Sequence, residues 1–205
     1  LEAVRSGVVV PLRGSYVLEL AAAGLALPSR ADLPPAACWT AEDLDALLYN
    51  LCEAMGEPEG RSRFVRLFVA VAWRGATATH PDPHGSQLQP LALATRSYLT
   101  PSSTLSRRDT TVSSEVFAPL GPDAPAVDCA LLVDFISLPQ PEIPAGQSRA
   151  AMPPEALDAL TVWLTHRTIP LWMLTDTPSA EAATAAPAAA PAAAEVRGRN
   201  RGRGM

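Results

Sequence analysis

Arg63–Trp73 reads RFVRLFVAVAW, and its second half is apolar at every position. A strand that shows one face to water alternates apolar and polar side chains. A run without alternation is buried on both faces, as in the middle of a parallel sheet. We therefore read this stretch as a central parallel strand and work outward from it.

Before it lies AEDLDALLYNLCEAMG (Ala41–Gly56). Leu44, Leu47, Leu48, Leu51 and Met55 recur every three or four residues, which predicts a helix with one buried face. Thr40 stands as its N-cap, Asp43 sits in the capping-box position, and Gly56 is a stop. Upstream, Gly7–Leu12 (GVVVPL) predicts a short strand and Tyr16–Leu27 a helix, broken by the prolines of Leu27–Trp39 (LPSRADLPPAACW). After Trp73 come His80–Leu88 (HPDPHGSQL) and a predicted helix over Gly85–Leu99, begun late because of Pro90. Cys129–Phe135 predicts the next strand, Pro153–Arg167 a helix with proline at its start, and Ile169–Pro178 a last strand.

Strands alternate with helices, which argues an α/β domain: a three-layer sandwich around a mainly parallel sheet, of TIR or flavodoxin type. We expect one domain over residues 1–177, with a polar insertion near 100–125 that is long for a loop. Residues 178–205 are Ala/Pro-rich and then Arg/Gly-rich, and are expected to be a disordered tail.

Composition limits the chemistry. The chain has 205 residues, is 48% hydrophobic, and carries a net charge of -5. All its basic side chains are arginine, so a Schiff-base lysine and a Gly-Lys-Ser/Thr phosphate loop are excluded. From Pro178 on there are four arginines and two acids, a tail of +2; the remaining twelve arginines and nineteen acids give a body of -7. Such a body is a poor nucleic-acid binder, whereas the Arg/Gly tail could touch RNA or an acidic surface. Cys38, Cys52 and Cys129 form no Cys-x-x-Cys pair, which points to reduced thiols and a cytoplasmic location. No apolar run reaches the ~20 residues of a membrane helix, so no membrane association is expected. The chain opens on Leu1 rather than Met, which we read as a fragment or a processed product.

In parallel sheets, ligands bind beyond the carboxyl ends of the strands. That rule gathers Arg74, Asp82, Asp134, Ser137, Gln140 and Asp176 on one rim as ligand-binding candidates, to which Trp73 and Gln87 are added from the flanking stretches. Gly-x-Ser-x-Gly and Gly-x-Gly-x-x-Gly are both absent, so neither a nucleophile elbow nor a dinucleotide loop is indicated. His166 falls in the last turn of the helix before the final strand, at the opposite edge, where a cation suits the helix C-terminus. His80, Asp82 and His84 could share one side of an extended segment and clamp a metal. A stiff loop leading into a helix explains the two prolines as well, and we expect no metal site.

Several stretches together resemble a family of algal and protist proteins: LPSRADLPPAACW, VAVAW (Val69–Trp73), HPDPHGSQL, DFISLPQ (Asp134–Gln140) and WLTHRTIPLWMLTDTP (Trp163–Pro178). Their domain is similar to TIR domains and, more distantly, to fungal heterokaryon-incompatibility domains. The pair HPDPxGxQL and DxxSLPQ is the specific part, and the resemblance spans roughly Leu20–Pro178. It implies a signalling or interaction module, with protein partners or self-association and an NAD-like nucleotide as ligand. The family keeps His-Pro-Asp-Pro but not the second histidine, which leaves His84 incidental and Asp82 the residue to watch. Two departures stand out. Val71-Ala72 replace the family's Ser-His, and the Arg-Thr after SLPQ has only Ser148-Arg149 near its place. Some TIR relatives cleave NAD with a helix-borne glutamate. Glu155 is the one glutamate on the matching helix, yet its surroundings do not match, so it is only a weak catalytic candidate. The alternatives are an NAD-cleaving or related hydrolase and a catalytically inactive scaffold.

Overall fold

Phe68–Trp73 forms the strand β2 on which the sheet is built. The structure, a computed structural model, describes residues 1–73, 82, 85–100, 119, 127–139 and 154–174. β2 pairs in parallel with β3 (Ala130–Val133), Phe68 opposite Ala130 and Val71 opposite Val133. On its other side it pairs in parallel with β4 (Leu171–Leu174), Ala70 opposite Leu171 and Trp73 opposite Leu174. β1 (Leu12–Arg13) runs antiparallel to β3, so the four-stranded sheet is mixed, in the order β1-β3-β2-β4.

The missing alternation in the sequence has its physical reason here. Val69, Val71, Leu131 and Val133 enter one buried cluster, with Val17, Leu44, Leu51, Leu88 and Leu91. Ala70 and Leu132, whose side chains leave the pleat on the other side, enter a second cluster with Val9, Leu138, Ala156, Ala159 and Trp163. Both central strands are thus apolar at neighbouring positions because each position has its own core to fill. The chain folds as α/β, as expected.

The first cluster takes most of its helical side chains from α2 (Gly14–Ala22), α3 (Ala41–Met55) and α5 (Leu88–Leu99), with Phe64 and Ile136 added from two shorter helices, and the second takes its own from α7 (Pro154–Thr165). α3 begins with a full capping box. The Asp43 N–H donates to Thr40 Oγ1 at 3.1 Å, and the Thr40 N–H donates to the Asp43 carboxylate at 3.3 Å. Leu44 and Leu51 are buried on its inner face and Leu47 and Leu48 partly so, but Met55 is exposed, contrary to the spacing argument. There the last turn has already left the core, and the Met55 sulfur accepts a contact from Arg63 at 3.5 Å.

Four boundaries depart from expectation. The helix expected over Tyr16–Leu27 is α2, which ends at Ala22. Arg63–Arg66 are not strand; they end the helix α4 (Glu57–Arg66), and the strand starts only at Phe68. Gly56, at φ 83°, closes α3 and opens α4 as a single-residue joint, a backbone geometry that glycine reaches without strain. Glu57-Pro58-Glu59 then fill the first turn of α4, where proline and acids are favoured. Of the strand expected over Gly7–Leu12 only Leu12 is strand, in β1. Pro11 has no N–H to give, and the Val10 N–H goes to the Ser137 carbonyl at 2.8 Å, outside any ladder. The strand over Cys129–Phe135 stops at Val133, and Asp134–Ser137 turn into the short helix α6. A short N-terminal helix, α1 (Glu2–Arg5), and two 3-10 turns, Arg30–Asp32 and Pro35–Ala37, complete the elements of the described residues.

At Gly60, α4 crosses α3 so closely that a Cβ would stand 2.6 Å from both the Cα and the nitrogen of Cys52. The position tolerates hydrogen alone. Residues 101–118 of the polar insertion and the whole tail over 178–205 lie outside the described residues.

Candidate functional site

Because β2, β3 and β4 run parallel, their carboxyl ends lie on one edge of the sheet. Trp73 ends β2 level with Leu174 of β4, and Asp134 follows directly after β3. Arg74, Gln140 and Asp176 fall outside the described residues, as do His80 and His84 and the side chain of Trp73. Asp134 is partly buried as the first residue of α6.

Asp82 is fully buried, and its carboxylate opens α5. One oxygen accepts the N–H groups of Gln87 and Leu88, at 2.9 and 3.0 Å. The other accepts the Ser86 hydroxyl at 2.9 Å. The Asp82 carbonyl accepts the Gly85 N–H at 3.3 Å, closing the turn. An anion here suits the first turn of a helix, where N–H groups lack intrahelical partners. Gln87 is buried beside it. The described residues of that stretch, Asp82 and Gly85–Leu88, thus start a helix.

Ser137 is also fully buried. Its hydroxyl oxygen accepts the Val133 N–H at 2.9 Å and faces the Leu131 carbonyl at 3.4 Å, so it finishes β3 from within. The Ser137 carbonyl accepts both the Val10 N–H and Arg30 Nη1, the latter at 3.1 Å. Arg30 in addition donates to the carbonyls of Val8, at 3.0 Å, and Gly7. One guanidinium therefore ties residues 7–8 to the end of α6 through main-chain oxygens alone. Burial lowers its pKa, against a smaller raising effect of Cys38. Nothing in the spacing of LPSRADLPPAACW assigns Arg30 this role. The clue available was a single planar five-donor side chain inside a proline-rich segment that carries few N–H donors of its own.

A second arginine organises the other side of that segment. Arg13 stacks over Trp39 at 4.0 Å and donates to the Cys38 carbonyl at 3.2 Å and the Asp43 carboxylate at 2.7 Å. The indole N–H of Trp39 donates to the Cys129 carbonyl at 3.0 Å. The three cysteines are free thiols. Burial pushes the Cys129 thiol well above its ordinary pKa, with Asp128 adding to the shift. Burial also raises Cys38, opposed by Arg13 and Arg30. Both are neutral thiols at physiological pH, without the thiolate that nucleophilic chemistry needs.

Glu155 is exposed in the first turn of α7. His166 follows α7 at the amino edge of β4, where its Nδ1 faces the Thr168 hydroxyl at 3.0 Å and the Thr168 N–H at 3.4 Å. Among the described residues no three His, Cys, Asp or Glu side chains are placed to hold a metal ion. Among them also no helix is long and apolar enough to cross a membrane. The structure thus puts Asp82 with Ser86 and Gln87 in one turn, and Asp134 with Ser137 in another. No family model, no curated protein and no solved structure matches the chain.

Proposed function

We propose that the chain is a TIR-like signalling or interaction module of the cytoplasm: a three-layer α/β domain with a mainly parallel sheet, taking an NAD-like nucleotide at the carboxyl edge of that sheet. The observation that carries the reading is the register of β2, β3 and β4, whose carboxyl ends share one edge. The interaction part draws support from exposed apolar side chains on α7 and the edge strand β4, namely Leu157, Val162, Leu164, Leu171 and Met173. Isolated exposed leucines need no explanation, but apolar side chains exposed along β4, an edge strand among the described residues, suit a protein partner or a second copy.

The test is calorimetry of the chain against a panel of NAD, ATP and related nucleotides, with an assay for nicotinamide release in parallel. Saturable binding without release fits the module. Release that is lost in Glu155→Ala would replace it with the NAD-cleaving hydrolase. A flat response to the panel would remove the nucleotide and leave a scaffold. One feature favours that last reading: the oxygens of Asp82 and Ser137, two of the rim candidates, hold main-chain N–H groups.

A further inference from the structure

We propose that the amino edge of the sheet, opposite the nucleotide edge and independent of it, binds a small amphiphilic anion. Two hollows meet there. The first is an apolar cleft of about 210 Å³ between α4, α7 and the sheet, lined by Val9, Phe64, Phe68, Leu132, Val162 and Trp163. The second is a wider groove of about 570 Å³ lined by Arg61, Ser62, Arg66, Arg167 and Thr168. Val65 and Ile169 belong to the walls of both, so the apolar cleft and the basic groove lie side by side.

The charges of the groove are available. Arg61 pairs with Glu57 at 2.7 Å and Arg66 with Glu59 at 3.0 Å, and both carboxylates are largely exposed. Exposed pairs of this kind hold weakly and exchange readily for a better acceptor. Arg167 is exposed and has no partner among the described residues. Three guanidinium groups against two carboxylates leave the groove cationic. His166 stands on the margin of the cleft, its Nδ1 beside Thr168, and adds a polar group there.

The occupant follows from shape and charge together. A volume of 210 Å³ equals roughly seven water volumes at ~30 Å³ each, which suits a short alkyl chain or one aromatic ring. The head must be an anion with paired oxygens, a carboxylate or a phosphate monoester, because a guanidinium fork grips either with two hydrogen bonds. The ligand is then an apolar body of about that size joined to such a head.

Octanoate and octyl phosphate, each below its aggregation threshold, are the probes, titrated calorimetrically into the full chain. Octanol supplies the body alone and inorganic phosphate the head alone. Both amphiphiles should bind, and the tighter one identifies the head group. Arg167→Ala should weaken binding about tenfold, the loss of one exposed charge-assisted contact. Val162→Trp, which fills the cleft from an exposed position, should weaken it by at least as much. Far-ultraviolet circular dichroism checks that both variants keep the fold. Failure of both amphiphiles to bind would overturn the proposal. So would phosphate or octanol binding as tightly as the amphiphiles, or affinities that neither variant changes.

Discussion

Gly60→Ala is the sharpest perturbation that the structure offers. On propensity alone the change should help, since alanine is favoured over glycine inside a helix by about 1 kcal/mol. The geometry opposes it. The new Cβ would lie 2.6 Å from two main-chain atoms of Cys52 and 2.7 Å from the carbonyl carbon of Leu51. Ordinary carbon contacts are about 3.5–4.0 Å, so α3 and α4 must part by roughly 1 Å. No side chain can swing aside, because the obstacle is backbone, and the joint at Gly56 gives no slack. Overpacking of this degree costs about 3 kcal/mol. Net destabilisation should be about 2 kcal/mol, a fall in Tm of about 4–8 °C for a chain of this length. Urea and thermal unfolding followed by circular dichroism measure it. Ser62→Ala, at an exposed position on the same helix, is the control and should be neutral or slightly stabilising. If Gly60→Ala proves as stable as the parent or more so, the close crossing is wrong.

Two further outcomes follow from the buried groups. Asp82→Ala strips acceptors from the Gln87 and Leu88 N–H groups and the Ser86 hydroxyl, and should cost about 2–4 kcal/mol in urea unfolding, with Asp82→Asn milder; a loss below about 0.5 kcal/mol would refute its capping role. The Cys129 thiol titrates higher folded than unfolded, so its contribution to stability is complete below the unfolded value of about 8.5 and is lost as pH rises from there toward the folded value. Unfolding at pH 7.5 and 9.5 should show that loss, and Cys129→Ala should reduce it; equal losses in both proteins would count against the assignment.

How far the sequence could be read depended on whether a signal was local. The α3 helix was legible because its cap, its apolar spacing and its glycine stop all lie within the helix itself. β2 was legible because burial on two faces leaves a run without alternation. α4 was missed through reading Arg63–Arg66 as an extension of that run, although Glu57-Pro58-Glu59 marks a helix start. β1 was misjudged because its limit depends on where the Val10 N–H finds a partner, 127 positions away at Ser137. At the candidate site, the rim rule put Asp82 and Ser137 forward as ligand-binding residues, whereas their burial and their main-chain partners emerge only from the fold. Arg30 acts on carbonyls, which every residue has, so no spacing could reveal its targets.

The pairing of Phe68 with Ala130 also bears on how the chain reaches its native state. α3 and α4 touch through neighbours in sequence and can form a hairpin early. The central strand pair must instead close a long intervening segment before either core is complete, so we expect it to limit the folding rate. Equilibrium stability is far less sensitive, since doubling the length of a flexible closed loop costs only about 0.6 kcal/mol. The stretch between α5 and β3 is therefore where this chain could accept extra residues, slowing its folding while hardly changing its stability.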